Sequence, residues 1–159
     1  MFYYASIIYL QARFLNMTIE NSPEIYAFHE HHSIALGELY FFEQYVVAEF
    51  NEGVNIDFES FNEARILISK FYGNRSIGFI ANRVHSYSIV LTEAPKFYKT
   101  FSNVIAYAIV NYSSLSEQIV EIENQLIKNQ SLALDNRKQF RDLDAAITWV
   151  NQRLESVLS

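Results

Sequence analysis

An α/β fold built on a mixed sheet of about four to six strands, with about four helices, is what this sequence predicts. Three observations carry it. Residues 77–81 and 104–110 are continuous apolar runs, the pattern of strands buried on both faces. Residues 36–42 and 45–50 are strand-like and separated by Glu43 and Gln44 alone, which makes an antiparallel hairpin. Single amphipathic stretches lie between the apolar runs, and one helix joining two buried strands requires a crossover and hence parallel pairing.

In chain order, residues 25–28 read as a short strand or turn, and Glu30, His31 and His32 as a polar break before the hairpin. Residues 51–55 interrupt the pattern after it, and Asp57 stands where a helix N-cap belongs. Phe58, Phe61, Ala64, Leu67 or Ile68, and Phe71 then share one helical face. Gly73 ends that helix, and the central strand at 77–81 follows, leaving through the polar stretch 82–88. Pro95 fits the first turn of a short helix ending near Ser102. After the second buried strand, Ser114 to Glu117 form a capping box for a helix whose Leu115, Ile119, Ile122 and Leu126 make one apolar stripe. Residues 129–137 are a polar loop, and Gln139, Phe140 and Arg141 are at most a short edge strand. Asp142 caps a last helix striped by Leu143, Ile147, Val150, Leu154 and Val157.

The chain has 159 residues, 50% of them apolar and 16% aromatic, enough to fill the core of one domain. We assign residues 25–159 to that domain and 1–24 to an amino-terminal extension. Its apolar stretch, residues 2–10, is too short to span a bilayer and has Arg13 after it rather than a basic region before it, so neither a membrane span nor a signal peptide is expected. The composition changes at Met17, which marks either the true start or the end of a docked helix. Tyr3, Tyr4, Tyr9 and Phe14 fall outside the domain core and suit a sheet edge or a homodimer contact. A net charge of −6 with scattered Lys and Arg argues against nucleic acid as a partner. The absence of cysteine excludes disulfides, thiolate metal sites and a Cys nucleophile. The cytoplasm is the default location.

Ligands of open α/β sheets sit at the carboxyl ends of the strands. That makes Asn82, Arg83, His85, Ser86, Tyr87 and Ser88, with Thr92 near the next helix, the candidate partner-binding surface. Arg83 and the following helix amino terminus could hold an anion there. The competing reading is a solvated loop with Arg83 paired to a local carboxylate. His29, Glu30, His31 and His32 carry metal-ligand chemistry, but neighbours on an extended segment point apart, so no metal site is assigned. Ser86 beside His85 lacks a glycine elbow, and no catalytic or cofactor-binding residue is assigned. Eleven Tyr and thirteen Phe could line an apolar cavity, although core packing also accounts for them.

The order of elements, with Phe50, Asn51, Glu52 and Gly53 after the hairpin and residues 78–83 in the central strand, resembles the STAS domain superfamily. The strand and Asp-capped helix from Phe140 to Val150, carrying Ala146, Ile147 and Trp149, is similar to small bacterial SpoIIAA-like proteins, a group related to the CRAL-TRIO lipid-binding fold. The resemblance implies a non-enzymatic, cytoplasmic module that acts through protein partners, without cofactors. The alternative it implies is a carrier for an apolar or lipid-like small molecule. STAS domains of sigma-factor cascades carry a phosphorylatable serine in an Asp-Ser-Ser-Gly segment. Here His85, Ser86, Tyr87 and Ser88 stand in its place, so phosphorylation of Ser86 or Ser88 is expected only if one of them lies near the next helix amino terminus, beside Arg83.

Overall fold

The computed structural model describes residues 18–158, and the structural statements below refer to them. Two 3-10 turns, Ile19–Asn21 and Pro23–Tyr26, precede β1 (Glu30–Ile34), β2 (Gly37–Phe41), β3 (Tyr45–Phe50) and β4 (Asn55–Ile56). Next come α1 (Asn62–Tyr72), β5 (Ile77–Arg83), β6 (Ser88–Ile89), a 3-10 turn at Leu91–Glu93 and α2 (Ala94–Thr100). The chain continues through β7 (Val104–Asn111), α3 (Ser114–Asn129), β8 (Arg137–Phe140) and α4 (Leu143–Leu158).

Six strands form one sheet in the order β1-β2-β3-β5-β7-β8. The first three pair antiparallel, and β3, β5, β7 and β8 pair parallel. This is the mixed α/β sheet predicted, with four helices among the described residues. β4 and β6 make a separate two-stranded parallel ladder. The expected hairpin is present, closed by Phe42 N–H donating to the Tyr45 carbonyl at 2.9 Å. β5 lies between two parallel partners and is buried at all seven positions.

Each crossover, from β3 to β5, β5 to β7 and β7 to β8, advances the same way across the sheet. Right-handed crossovers that advance in one direction put their helices on one face. α1, α2 and α3 therefore share a face, where Phe41, Val46, Ala48, Ile77 and Phe79 pack against Phe61, Ala64, Ile68 and Tyr72. The Tyr72 hydroxyl ties α1 to the hairpin turn by donating to the carbonyls of Phe42 and Tyr45, at 2.7 and 2.6 Å. On the other face Tyr45, Val47, Ile80, Ala106 and Ala108 pack against Ile19 and against Ala146, Val150 and Leu154 of α4. α4 sits so close that a Cβ on Gly78 would lie 2.2 Å from Val150 Cγ1.

Several local expectations are corrected. α1 starts at Asn62 because Asp57 and Ser60 close their own turn, with Ser60 N–H donating to Asp57 Oδ1 at 2.7 Å. The N–H of Phe58 goes instead to the Glu93 carboxylate, 2.7 Å away. α3 is capped by Ser113 rather than Ser114, since the Ser113 hydroxyl accepts from Ser116 N–H. Its buried side is Val120, Glu123 and Ile127, while Leu115, Ile122 and Leu126 are exposed. Of the short strand or turn expected at 25–28 the structure shows the turn, the end of the 3-10 turn Pro23–Tyr26 with Ala27 after it, whereas Glu30, His31 and His32 lie in an edge strand rather than a break. Their polar side chains are paired along that edge: His31 meets Glu38 at 2.6 Å and His32 meets Glu30 at 2.9 Å. Asp142 caps α4 as expected, accepting from Ala145 N–H at 2.8 Å. Ile19, read from sequence as part of an extension, is fully buried. Tyr3, Tyr4, Tyr9, Arg13, Phe14 and Met17 lie outside the described residues.

Candidate functional site

β5 runs two residues further than its apolar pattern, through Asn82 and Arg83, because both find buried partners. Strand alternation sends the two side chains to opposite faces. Arg83 joins the face of α1 to α3. Its Nη1 donates to both Glu123 carboxylate oxygens, at 3.2 and 3.1 Å, and its Nη2 donates to the Tyr87 carbonyl at 3.0 Å. The guanidinium carbon also lies 4.4 Å from the centre of the Tyr87 ring. Burial opposes the Arg83 charge, while Tyr87 and Glu123 favour it, and the pKa is raised overall. With side-chain exposures of 6% and 8%, this is a fully enclosed ion pair. The Tyr87 and Tyr107 phenols beside it are pushed upward by burial and stay neutral.

Asn82 faces α4. Its Oδ1 accepts from the Tyr112 hydroxyl at 2.6 Å, and its side chain also hydrogen-bonds the Glu49 carboxylate. Glu49 in turn accepts from Ile19 N–H at 2.8 Å, which fastens the chain before β1 to the ends of β3, β5 and β7. Burial, with further repulsion from Glu20 and Glu38, outweighs these hydrogen bonds and pushes the Glu49 carboxyl up to about 7.

The remaining candidates sit at the surface. His85, Ser86, Ser88 and Thr92 are exposed. Ser86 N–H donates to Glu52 Oε2 at 2.7 Å, and Ser88 Oγ donates to Asn55 Oδ1 at 2.8 Å from within β6. The turn at Leu91–Glu93 separates Ser88 from the start of α2 in the chain, and β6 and that turn separate Ser86 from it. The structure thus joins Arg83 to Tyr87, puts Asn82 behind the sheet, and leaves His85, Ser86, Ser88 and Thr92 outside. Among the described residues no group of three or more His, Asp or Glu side chains could hold a metal ion.

Between the sheet and α2 and α3 lies a cavity of about 460 Å³ that was not foreseen as a specific place. Phe50, Phe61, Phe79, Phe97, Phe101 and Tyr107 turn rings into it, with Ile56, Ile89, Val104 and Ile127 between them. The Glu123 carboxylate reaches its wall, and Ser102, Asp135, Asn136, Arg137 and Arg153 form a polar end. Ser102 and Asp135 are exposed, so this end meets solvent. Arg137 lies over Tyr107, its guanidinium carbon 4.8 Å from the ring centre, and Tyr107 stacks on Phe79 with centroids 5.3 Å apart. Glu123 and the aromatic walls are the site residues that sequence reasoning missed. A signal for Glu123 existed: it shares the spacing of Val120 and Ile127, which places a carboxylate on a buried helical face.

Two outcomes follow from these buried charges. Arg83→Met leaves Glu123 buried and unpaired and is expected to destabilise the fold by about 3–5 kcal/mol, whereas Arg83→Met combined with Glu123→Leu recovers most of that loss in urea denaturation. Glu49 binds its proton more tightly folded than unfolded, so stability falls as pH rises from 4.5 to about 7 and is level above. The fall should amount to about 2–3 kcal/mol, and urea midpoints for Glu49→Gln across that window should lack it.

Comparison with protein-family models, with curated proteins and with solved structures returns no match to this chain.

Proposed function

We propose that this protein is a non-enzymatic binding protein for an apolar small molecule, held between the sheet and α2 and α3. The observation that supports this reading is the ring-lined cavity of about 460 Å³, a size within the roughly 300–1,000 Å³ of small-molecule sites. Apolar walls supply affinity through area removed from water, and the few polar groups at one end supply orientation. The carrier would work in a bacterial cytoplasm, as expected from the sequence. Native mass spectrometry of protein purified from its own host under mild conditions should find a bound mass that an organic extract releases. Ala94→Phe, which fills the cavity from α2, should lower its occupancy at least about fivefold. Protein of bare mass, with no apolar compound in the extract, would overturn the reading.

A second reading, a STAS-like protein-interaction module, draws on a different observation. Leu115, Ile122 and Leu126 are 66%, 62% and 43% exposed along one side of α3, flanked there by uncharged Gln118, Gln125 and Asn129. Exposed apolar patches of this kind mark contact surfaces. On this reading the chain forms a homodimer or meets a protein partner through α3. Sedimentation should then detect self-association that Ile122→Glu abolishes. A monomer at all concentrations, with no partner co-purifying from the host, counts against it.

A further inference from the structure

Resting on the cavity reading, we infer that the ligand is an amphiphilic monoanion whose carboxylate is held by Arg137 and Arg153 while its apolar body lies among the phenylalanine rings. The inference comes from a charge count at the cavity wall. Four charged side chains reach it: Glu123, Asp135, Arg137 and Arg153. Glu123 is already neutralised by Arg83 within the wall. Asp135 offsets one arginine at most, which leaves one positive charge in a chain whose net charge is −6.

Among the described residues neither arginine is ion-paired with a carboxylate. The ion pairs among the described residues take Arg83, Lys96, Arg141 and two histidines, but not Arg137 or Arg153. Arg137 donates its Nε–H to Asn124 Oδ1 at 3.1 Å, hydrogen-bonds the Tyr107 side chain and lies with its guanidinium carbon 4.8 Å from the centre of that ring. Arg153 stands 5.7 Å from the centre of the Trp149 ring on α4. Both are half-buried with their heads held beside rings, and the N–H groups that Arg137 does not give to Asn124 and Tyr107, together with those of Arg153, remain for a ligand. A guanidinium recognises a planar carboxylate with paired donors. A neutral head group would leave that charge to solvent alone.

The body of the molecule can be a fused ring system or an alkyl chain, since aromatic walls accept either. The test uses naphthoate and decanoate as anionic probes, and naphthalenemethanol and decanol as their neutral counterparts, titrated calorimetrically into the full-length protein. Each carboxylate that binds should do so at least about tenfold more tightly than its alcohol, and the advantage should shrink as salt is raised. Arg153→Gln and Arg137→Gln should each cut carboxylate affinity about tenfold and leave alcohol affinity within about twofold. Should Arg137→Gln alter the thermal melt, Arg153→Gln, outside the sheet, carries the comparison alone. Preference for naphthoate or for decanoate supports the inference and assigns the body to ring or chain. Equal affinities for carboxylate and alcohol, unchanged in the variants, overturn the anionic head while leaving the cavity reading in place. No binding of any of the four probes overturns the cavity reading itself.

Discussion

The handedness of the chain's crossovers governs the layout of this molecule. Three parallel steps that advance the same way must lay their helices on one side of the sheet, so α1, α2 and α3 compete for a single face. One of the three is short. α2 has seven residues and spans about 10 Å, while the seven-residue strand β5 beneath it runs about 23 Å. A helix of that length cannot cover the strands it crosses. The cavity is the uncovered remainder, and the rings of Phe61, Phe97 and Phe101 border it rather than fill it.

Polarity enters this core by way of one strand. Asn82 and Arg83 are neighbours in β5, yet alternation delivers one to α4 and the other to α3. Each demands a partner in a place where water cannot supply one. Arg83 draws Glu123 onto the buried side of α3, and Asn82 draws Glu49 and Tyr112 toward the ends of β3 and β7. Burying such groups yields little net stability, but a wrong register would strand them unpaired, so they make one alignment of helix on sheet much better than its neighbours. The Arg83–Glu123 pair thus ties α3 to the end of β5, beside the wall of the cavity to which Glu123 and Ile127 belong.

Most of the architecture was legible in the sequence because it depends on local pattern. The continuous apolar runs of β5 and β7, the two-residue hairpin turn, Gly73 after α1 and the Asp142 cap all carry their structural meaning within a few residues. What escaped depends on partners far along the chain. The stripe of Leu115, Ile119, Ile122 and Leu126 has the right period for a core face, yet the sheet takes the side bearing Val120 and Ile127, since Glu123 must reach Arg83 forty residues away. Asn82 and Arg83 read as the end of a strand because their partners, Tyr112 and Glu123, are equally remote. β1 was hidden for the opposite reason: an edge strand with polar faces has no apolar alternation to reveal it. A cavity has no sequence signature at all, being a shortfall of volume between elements that are each ordinary.

The close seating of α4 on Gly78 has a mechanical consequence. Gly78, Ala106, Ala108 and Ala146 let helix and sheet meet almost backbone to backbone, so that layer is dense and has little slack. In the opposite layer α1 packs closely on the sheet, whereas the seven-residue α2 lies beside the cavity. The two faces therefore differ in the volume they can take up: a methyl group added at Gly78 collides with Val150, while side chains that line the cavity have space beside them in which to change rotamer.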